Sequence, residues 1–421
     1  MRNFATHRAY LNNAVRDTDR IWIFLDQAIV SGGNFLVLIL LARNTNAENV
    51  GYYALAISFV MILQGLQDSI ITRPYLVHHA DPGVIAKEFA GGALLLCFLF
   101  ALSSATIFLA FSLFDFSGQN FQKMESIFSI LALTIPAYLM REFSRRFLMS
   151  KLMAKKVFIW DSLGLSVLII MLIGMSKSNV LDAYGALLAI SISYGSIFII
   201  WLYFEWHYFS INLSAISKTF LSFWEMGKWL VGDRMSSDLR GYLNHWLALI
   251  FLGPAAIGAY AACMNIVALS NPFVLGMLNY MAPKSVRVIQ ANGIKGLKQQ
   301  VFVDFGIMTA ALFSFALLLT VFGKEILDLV FSNNDFSTYA NVLTIMAFAS
   351  AVASSSAPIV SGLITAKKSK QASAISISML FCQLFVAPLC IYLWGLEGAA
   401  YTILVVEIIG LIAWSKLFWD L

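Results

Sequence analysis

Apolar residues run along this chain in stretches of about 20, the length an α-helix needs to cross a hydrocarbon layer of ~30 Å. Twelve such stretches can be read, at about 21–43, 50–72, 88–114, 124–148, 155–176 and 181–204, then 227–252, 254–281, 300–322, 338–365, 373–394 and 397–417. The polar breaks between them are short, and none has room for a separate domain. The longest, about 205–226, lies near the middle of the chain. The pattern predicts an all-α integral membrane protein of twelve transmembrane helices, with an N-terminal lobe over 1–204, a cytoplasmic inter-lobe linker over 205–226 and a C-terminal lobe over 227–421.

Composition agrees. Of the 421 residues 60% are hydrophobic and 12% charged, against about 45–50% and about 25% in a soluble domain. A cytosolic enzyme, a disordered chain and a secreted disulfide scaffold are excluded. The four cysteines lie inside apolar runs without metal-ligand spacing and read as packed hydrophobes. The N-terminus shows no short apolar region with a cleavage signal, so the first span is expected to serve as its own membrane address.

The positive charges orient the spans. With the N-terminus inside, and with charges toward the ends of spans counted with the adjoining segments, 22 of the 28 Lys and Arg are cytoplasmic and four external, leaving Arg234 and Arg240 within a span. This positive-inside bias predicts cytoplasmic N- and C-termini. The longest external loop runs from about Gly323 to Ala340, which weighs against a polymerase, ligase or glycosyltransferase with an external acceptor domain.

An internal repeat appears at a shift of 207 residues: Trp22 falls on Trp229, Asp26 on Asp233, Leu36 on Leu243, Leu40 on Leu247, Gly51 on Gly258, Tyr53 on Tyr260, Ala54 on Ala261 and Val60 on Val267. Six spans per half is an even number, so both halves enter from the same side. The repeat therefore implies two six-helix lobes related by a pseudo-two-fold axis along the membrane normal, with a central cavity. Spans 1, 2, 7 and 8 are expected to line it.

Within the spans, charge is the informative exception, since each ionised side chain at a helix centre costs about 2.5–3.5 kcal/mol on insertion scales. Span 7 carries Asp233, Arg234, Asp238 and Arg240, with Asn244 and His245 following. Met235, Leu239, Tyr242 and Trp246 make an apolar stripe at helical spacing, and Arg234, Asp238, Gly241 and His245 make a polar one. That polar side faces water or a polar ligand, or else forms internal ion pairs such as Arg234 with Asp238. Span 1 adds Asp26, Gln27, Ser31 and Asn34, and span 2 adds Gln64, Gln67 and Asp68, the last one turn before Arg73. Glu407 sits mid-way along span 12, either as a proton relay or bonded to a neighbouring helix. Arg141, Glu142, Arg145 and Arg146 close span 4, with Lys151, Lys155 and Lys156 after them; they read as cytoplasmic anchoring or as attraction for anionic head groups. Pro136, Pro272, Pro358 and Pro388 are expected to kink their spans. No nucleotide loop, metal site or nucleophile triad is found, so neither enzyme, cofactor, metal nor nucleic-acid partner is expected.

The stretch from Leu40 to Pro74 carries Leu41-Ala42-Arg43 at the end of span 1 and Gly51, Tyr53 and Ala54 at the start of span 2. It resembles the polysaccharide flippases of the multidrug/oligosaccharidyl-lipid/polysaccharide exporter superfamily. The resemblance implies a bacterial inner-membrane flippase for undecaprenyl-diphosphate-linked oligosaccharides, serving O-antigen, capsule or exopolysaccharide synthesis. It further implies a cationic cavity, alternating access, membrane lipids as neighbours and polysaccharide polymerase machinery as a partner. The substrate-binding residues would be Arg234, Arg240, Asn244, His245, Gln27, Asn34 and Gln64. Asp26, Asp233, Asp238, Asp68 and Glu407 would serve ion coupling or gating with H+ or Na+. Guanidinium suits diphosphate because its planar fork can bond oxygens in pairs. The rival readings are a cation-coupled multidrug exporter of the same superfamily and an integral-membrane enzyme of envelope polysaccharide synthesis.

Overall fold

The computed structural model describes residues 17–78, 86–114, 123–332 and 335–421, and within them every regular element is helical. Helices α1 (Asp17–Asn44) and α2 (Ala47–Gln67) open the chain; a π-helical turn at Asp68–Thr72 and short α3 (Arg73–His78) complete span 2. Then come α4 (Ala86–Phe111), α5 (Met124–Ser150), α6 (Ala154–Lys177) and α7 (Ala183–Glu205). Asp182 caps α7 by accepting from the Gly185 amide at 2.7 Å, satisfying one of the free donors of a first turn.

The second half holds α8 (Leu213–Leu252), α9 (Pro254–Val267), α10 (Asn271–Val330), α11 (Ala340–Ser355), α12 (Ala357–Thr365) and α13 (Ser369–Trp419). Two of these are interrupted where glycine alone adopts the left-handed backbone without strain, at Gly293 (φ 63°) and Gly395 (φ 57°). The first break falls between expected spans 8 and 9, the second between spans 11 and 12. Ten helical stretches have the length and apolarity to cross a bilayer. Dividing Ser369–Trp419 at Gly395 and counting the more polar α8 gives the twelve spans expected, among the described residues. The chain is a multi-pass, all-α membrane protein.

The prolines divide into two kinds. Pro272 and Pro358 sit in the first turns of α10 and α12, where a missing amide breaks no helical bond. Pro136 and Pro388 lie inside α5 and α13, which continue through them. The segment expected to link the lobes is structured: a 3-10 turn at Trp206–Tyr208 precedes α8, which starts at Leu213. The Ser210 amide donates to the Lys87 carbonyl at 3.0 Å. Its own carbonyl lies where a Cβ on Gly91 would fall, 2.1 Å away.

The helices gather into two compact units. One takes the N-terminal helix up to Leu41 with Phe59–Ser117 and Gln122–Gly232; the other takes Ala42–Ser58 with Asp233–Leu421. In the first, Tyr75, Phe143, Phe147, Trp201 and Phe209 form a buried aromatic cluster, with Phe147 and Phe209 4.8 Å apart. In the second, Leu297, Val301, Leu363, Val406, Trp414 and Phe418 form the core.

The second unit also contains the repeat in physical form. A Cβ on Gly51 would lie 1.7 Å from the Pro254 carbonyl oxygen, and one on Gly258 would lie 2.1 Å from that of Ala47. Pro254 is Ala47 shifted by 207 residues, as Gly258 is Gly51. The first turns of α2 and α9 thus cross reciprocally, each presenting a small-x-x-x-small pair, Ala47 with Gly51 and Pro254 with Gly258. Such pairs let helix backbones touch within a membrane, and glycine Cα–H groups then meet carbonyl oxygens.

Candidate functional site: ionised groups within the spans

On α8, in the second unit, Arg234, Ser237, Asp238 and Gly241 share one helix face by their spacing of three and four residues. Ser237 and Gly241 are exposed and Arg234 is half-buried. Beyond Gly241 the space a Cβ would meet is empty. The Arg234 Nε donates to Asp238 Oδ2 at 2.7 Å, which is the internal i, i+4 ion pair considered from sequence. The side chain of Asp233 lies outside the described residues.

Arg240 projects from another side of α8. Its Nη1 lies 3.3 Å from Glu407 Oε1 and 3.3 Å from Met379 Sδ, both on α13. Gln383, also on α13, donates to the Arg240 carbonyl at 2.9 Å. Glu407 is therefore bonded to a neighbouring helix, one of the two roles its sequence position allowed. Asn244 and His245 are buried. Asn244 donates to the Ala399 carbonyl at 3.1 Å, and the His245 ring meets Tyr260 edge-on at 4.8 Å. Asn244 Oδ1, His245 Nδ1 and the Tyr260 hydroxyl are buried without hydrogen-bond partners among the described residues. Sequence reasoning grouped Arg234, Arg240, Asn244 and His245 into one lining; the structure puts Arg234 on an open face and turns the other three into the helix packing.

In the first unit, Asp26 belongs to a larger assembly. Arg145 on α5 reaches three carboxylates at once: Asp26 Oδ2 at 2.9 Å, Glu142 Oε2 at 3.0 Å and Asp161 Oδ2 at 2.5 Å. Arg141 completes Asp161 at 2.8 Å and lies 4.4 Å over the Tyr194 ring. Glu142 passes the chain to Arg146 at 3.0 Å. Asp68, in the π-turn, accepts from Arg73 Nε at 2.7 Å and Thr72 Oγ1 at 2.8 Å, with Arg146 Nε 3.7 Å away. Four carboxylates and four guanidiniums thus form one balanced network on α1, span 2, α5 and α6. All four acids are buried. A single π-helical turn is the kind of irregularity that re-aims side chains at functional positions, and here it sets Asp68 between two arginines. Asp26 Oδ1 is buried without a hydrogen-bond partner among the described residues.

Sequence reasoning found Asp26 and Asp68 but passed over Asp161. Its signal was available, since a carboxylate inside an apolar span needs a partner. Arg141 and Arg145 read as anchors because their partners lie 16 to 119 residues away in the chain. Of the remaining candidates, Gln27 and Asn34 are exposed and Gln64 is half-buried; Gln27 donates to Ser31 at 3.2 Å. No group of His, Cys, Asp and Glu suited to a metal ion occurs among the described residues.

No protein-family model matches this sequence, and no curated protein is significantly similar to it. Solved structures are. A lipid II flippase, MurJ, in an inward closed conformation superposes with a TM-score of 0.72 over 95% of this chain and 87% of its own, at 12% identity. An inward-facing multidrug resistance MATE family transporter of the MOP superfamily gives 0.69 over 94% and 95%, at 13% identity. A MATE transporter from Vibrio cholerae gives 0.59 over 96% of each chain, at 17% identity. The fold is that of MOP superfamily transporters. Identities this low carry the architecture and leave the cargo to the residues of this chain. A lipid II flippase and a multidrug resistance transporter both share this fold.

Proposed function

We propose that this protein is a flippase that moves polyprenyl-diphosphate-linked oligosaccharides from the cytoplasmic to the outer leaflet of a bacterial inner membrane by alternating access of two six-helix lobes. The observation that carries the proposal is Arg234, a guanidinium on an exposed face of α8 beside Ser237 and Gly241. Diphosphate can displace Asp238 from it, because both offer paired oxygens to the same donors. Arg240, held by Glu407 and Met379, is a second guanidinium on another side of the helix. Exposed Gln27 and Asn34, and half-buried Gln64, offer neutral hydrogen-bonding groups suited to sugar hydroxyls.

No ATP is required. Each negative charge leaving an inside-negative cell across ~100 mV gains about 2.3 kcal/mol, and an entering proton adds to the drive. Asp26, with one carboxylate oxygen unpaired, is the coupling acid best placed to take that proton. The positive-inside bias of the sequence supports a topology with both termini in the cytoplasm.

The test is a cell lacking the protein, complemented with the wild type, Arg234→Ala, or Arg234→Ala with Arg240→Ala, and assayed for the sidedness of lipid-linked glycan. Loss of outward glycan in both variants, at normal membrane abundance, is expected. Normal export by the double variant overturns the assigned site. Unchanged glycan together with new drug sensitivity on deletion favours the multidrug exporter, whose substrates are often cationic and fit poorly beside the Arg234 guanidinium.

A further inference from the structure

The eight-member network in the first unit uses its arginines unequally. Arg141 and Arg145 are consumed internally, with side chains 7% and 18% exposed. Arg73 and Arg146 have side chains 48% and 37% exposed. Both engage their carboxylates through Nε alone: Arg73 on Asp68, Arg146 on Glu142 and, more distantly, Asp68. Their terminal amino groups have no hydrogen-bond partner among the described residues. The two guanidiniums meet the two oxygens of one buried carboxylate, at 2.7 and 3.7 Å, so Asp68 brings both side chains to the same place in the fold. The acids are buried and these two guanidiniums part-exposed, so the network, although balanced in charge, turns cationic groups outward.

From this geometry we infer that Arg73 and Arg146 form a phosphate-binding clamp, anchored by Asp68 in the π-turn, at the expected cytoplasmic end of spans 2 and 4. Each guanidinium offers its outer N–H pair in the fork that matches phosphate oxygens, while the Nε bond to carboxylate fixes its orientation. The side chains are therefore ordered before the anion arrives, which reduces the entropy lost on binding. The π-turn is what brings this about. Thr72 holds Asp68 Oδ1 from within the same turn, leaving Oδ2 for Arg73. The clamp is built from residues of the first unit other than Arg234 and Arg240 and does not depend on the substrate assigned above. The phosphate it takes is carried by a free diphosphate or by an anionic phospholipid head group.

The wild-type protein provides the test. The full chain is placed in nanodiscs of zwitterionic phospholipid and treated with phenylglyoxal, and the rate of modification at each arginine is read by mass spectrometry. Arg73 and Arg146 should react and Arg141 should not. Inorganic pyrophosphate should slow modification at Arg73 and Arg146 by about tenfold or more when saturating. In a second arm, nanodiscs containing phosphatidylglycerol should give the same protection if the lipid head group is the source. Protection in either arm supports the clamp and identifies the source. Absence of protection in both overturns it, as does protection that persists unchanged in an Asp68→Asn variant that folds. Protection confined to Arg234 would support the transport site and refute the clamp, so the two proposals fail separately.

Discussion

Replacing Arg145 by Met removes one cation from the three carboxylates that share it, but strands them unequally. Asp161 keeps Arg141 at 2.8 Å and Glu142 keeps Arg146 at 3.0 Å. Asp26 loses its one hydrogen-bond partner while 2% exposed. Breaking a buried ion pair from one side costs about 3–5 kcal/mol, because the remaining charge is left uncompensated. The loss should therefore fall in that range and arise mainly at Asp26. Asp26→Asn alone removes one charge-assisted bond and leaves Arg145 with two acids, a loss of about 1.5–3 kcal/mol. In the double variant the stranded charge is gone, so its stability should exceed the sum of the single effects by at least about 2 kcal/mol. The assay is reversible unfolding of the full chain in mixed detergent micelles, followed by tryptophan fluorescence for all four members of the cycle. Additivity within about 0.5 kcal/mol would refute the reasoning, since Asp26 would then not depend on Arg145.

Other variants check separate parts of the structure by the same measurement. Gly258→Val drives a side chain into the Ala47 carbonyl, 2.1 Å from its Cβ. It should cost about 1–3 kcal/mol or more, whereas Gly241→Val, facing open space, should cost far less; equal losses would count against the close crossing. Glu407→Gln removes the carboxylate beside Arg240 and should lower stability by about 1–3 kcal/mol, with Arg240→Gln in the same chain recovering part of it. Lys156→Met takes a half-exposed ammonium from Glu205, 2.6 Å away; with water screening that pair, the loss should stay near about 1 kcal/mol, well below that of Arg145→Met.

The span pattern was legible because it depends on local composition: twenty apolar residues read as a helix wherever they occur. Even the breaks at Gly293 and Gly395 fall in the gaps that composition predicts. Helical spacing put Arg234, Asp238, Gly241 and His245 on one stripe of α8; Arg234 and Asp238 pair along it and Gly241 is exposed, while His245 is buried. The direction of each polar residue was not legible. Arg234 and Arg240, six positions apart, point to different sides of the helix, and no local rule says that Arg240 meets Glu407, a residue 167 positions later in the chain. The same holds for Asp161. Its presence inside a span was visible, but its double hold on Arg141 and Arg145 depends on how α5 packs with α6. The π-turn at Asp68 left no mark in the sequence, because one extra residue in a helical turn changes direction without changing composition.

The crossing of Gly51 with Gly258 has the character of an isologous interface, such as joins the two subunits of a symmetric dimer. Each glycine touches the counterpart of its own neighbour: Gly51 meets Pro254, and Gly258 meets Ala47. A half-length chain with this sequence could have closed the same contact with a second copy of itself. In such a dimer every substitution strikes twice, once on each side of the axis. Fusion into one chain ends that constraint, so one side can carry proline at the start of its helix while the other keeps alanine. The glycines remain alike on both sides, because a side chain on either one would separate the helices as surely as a change in both.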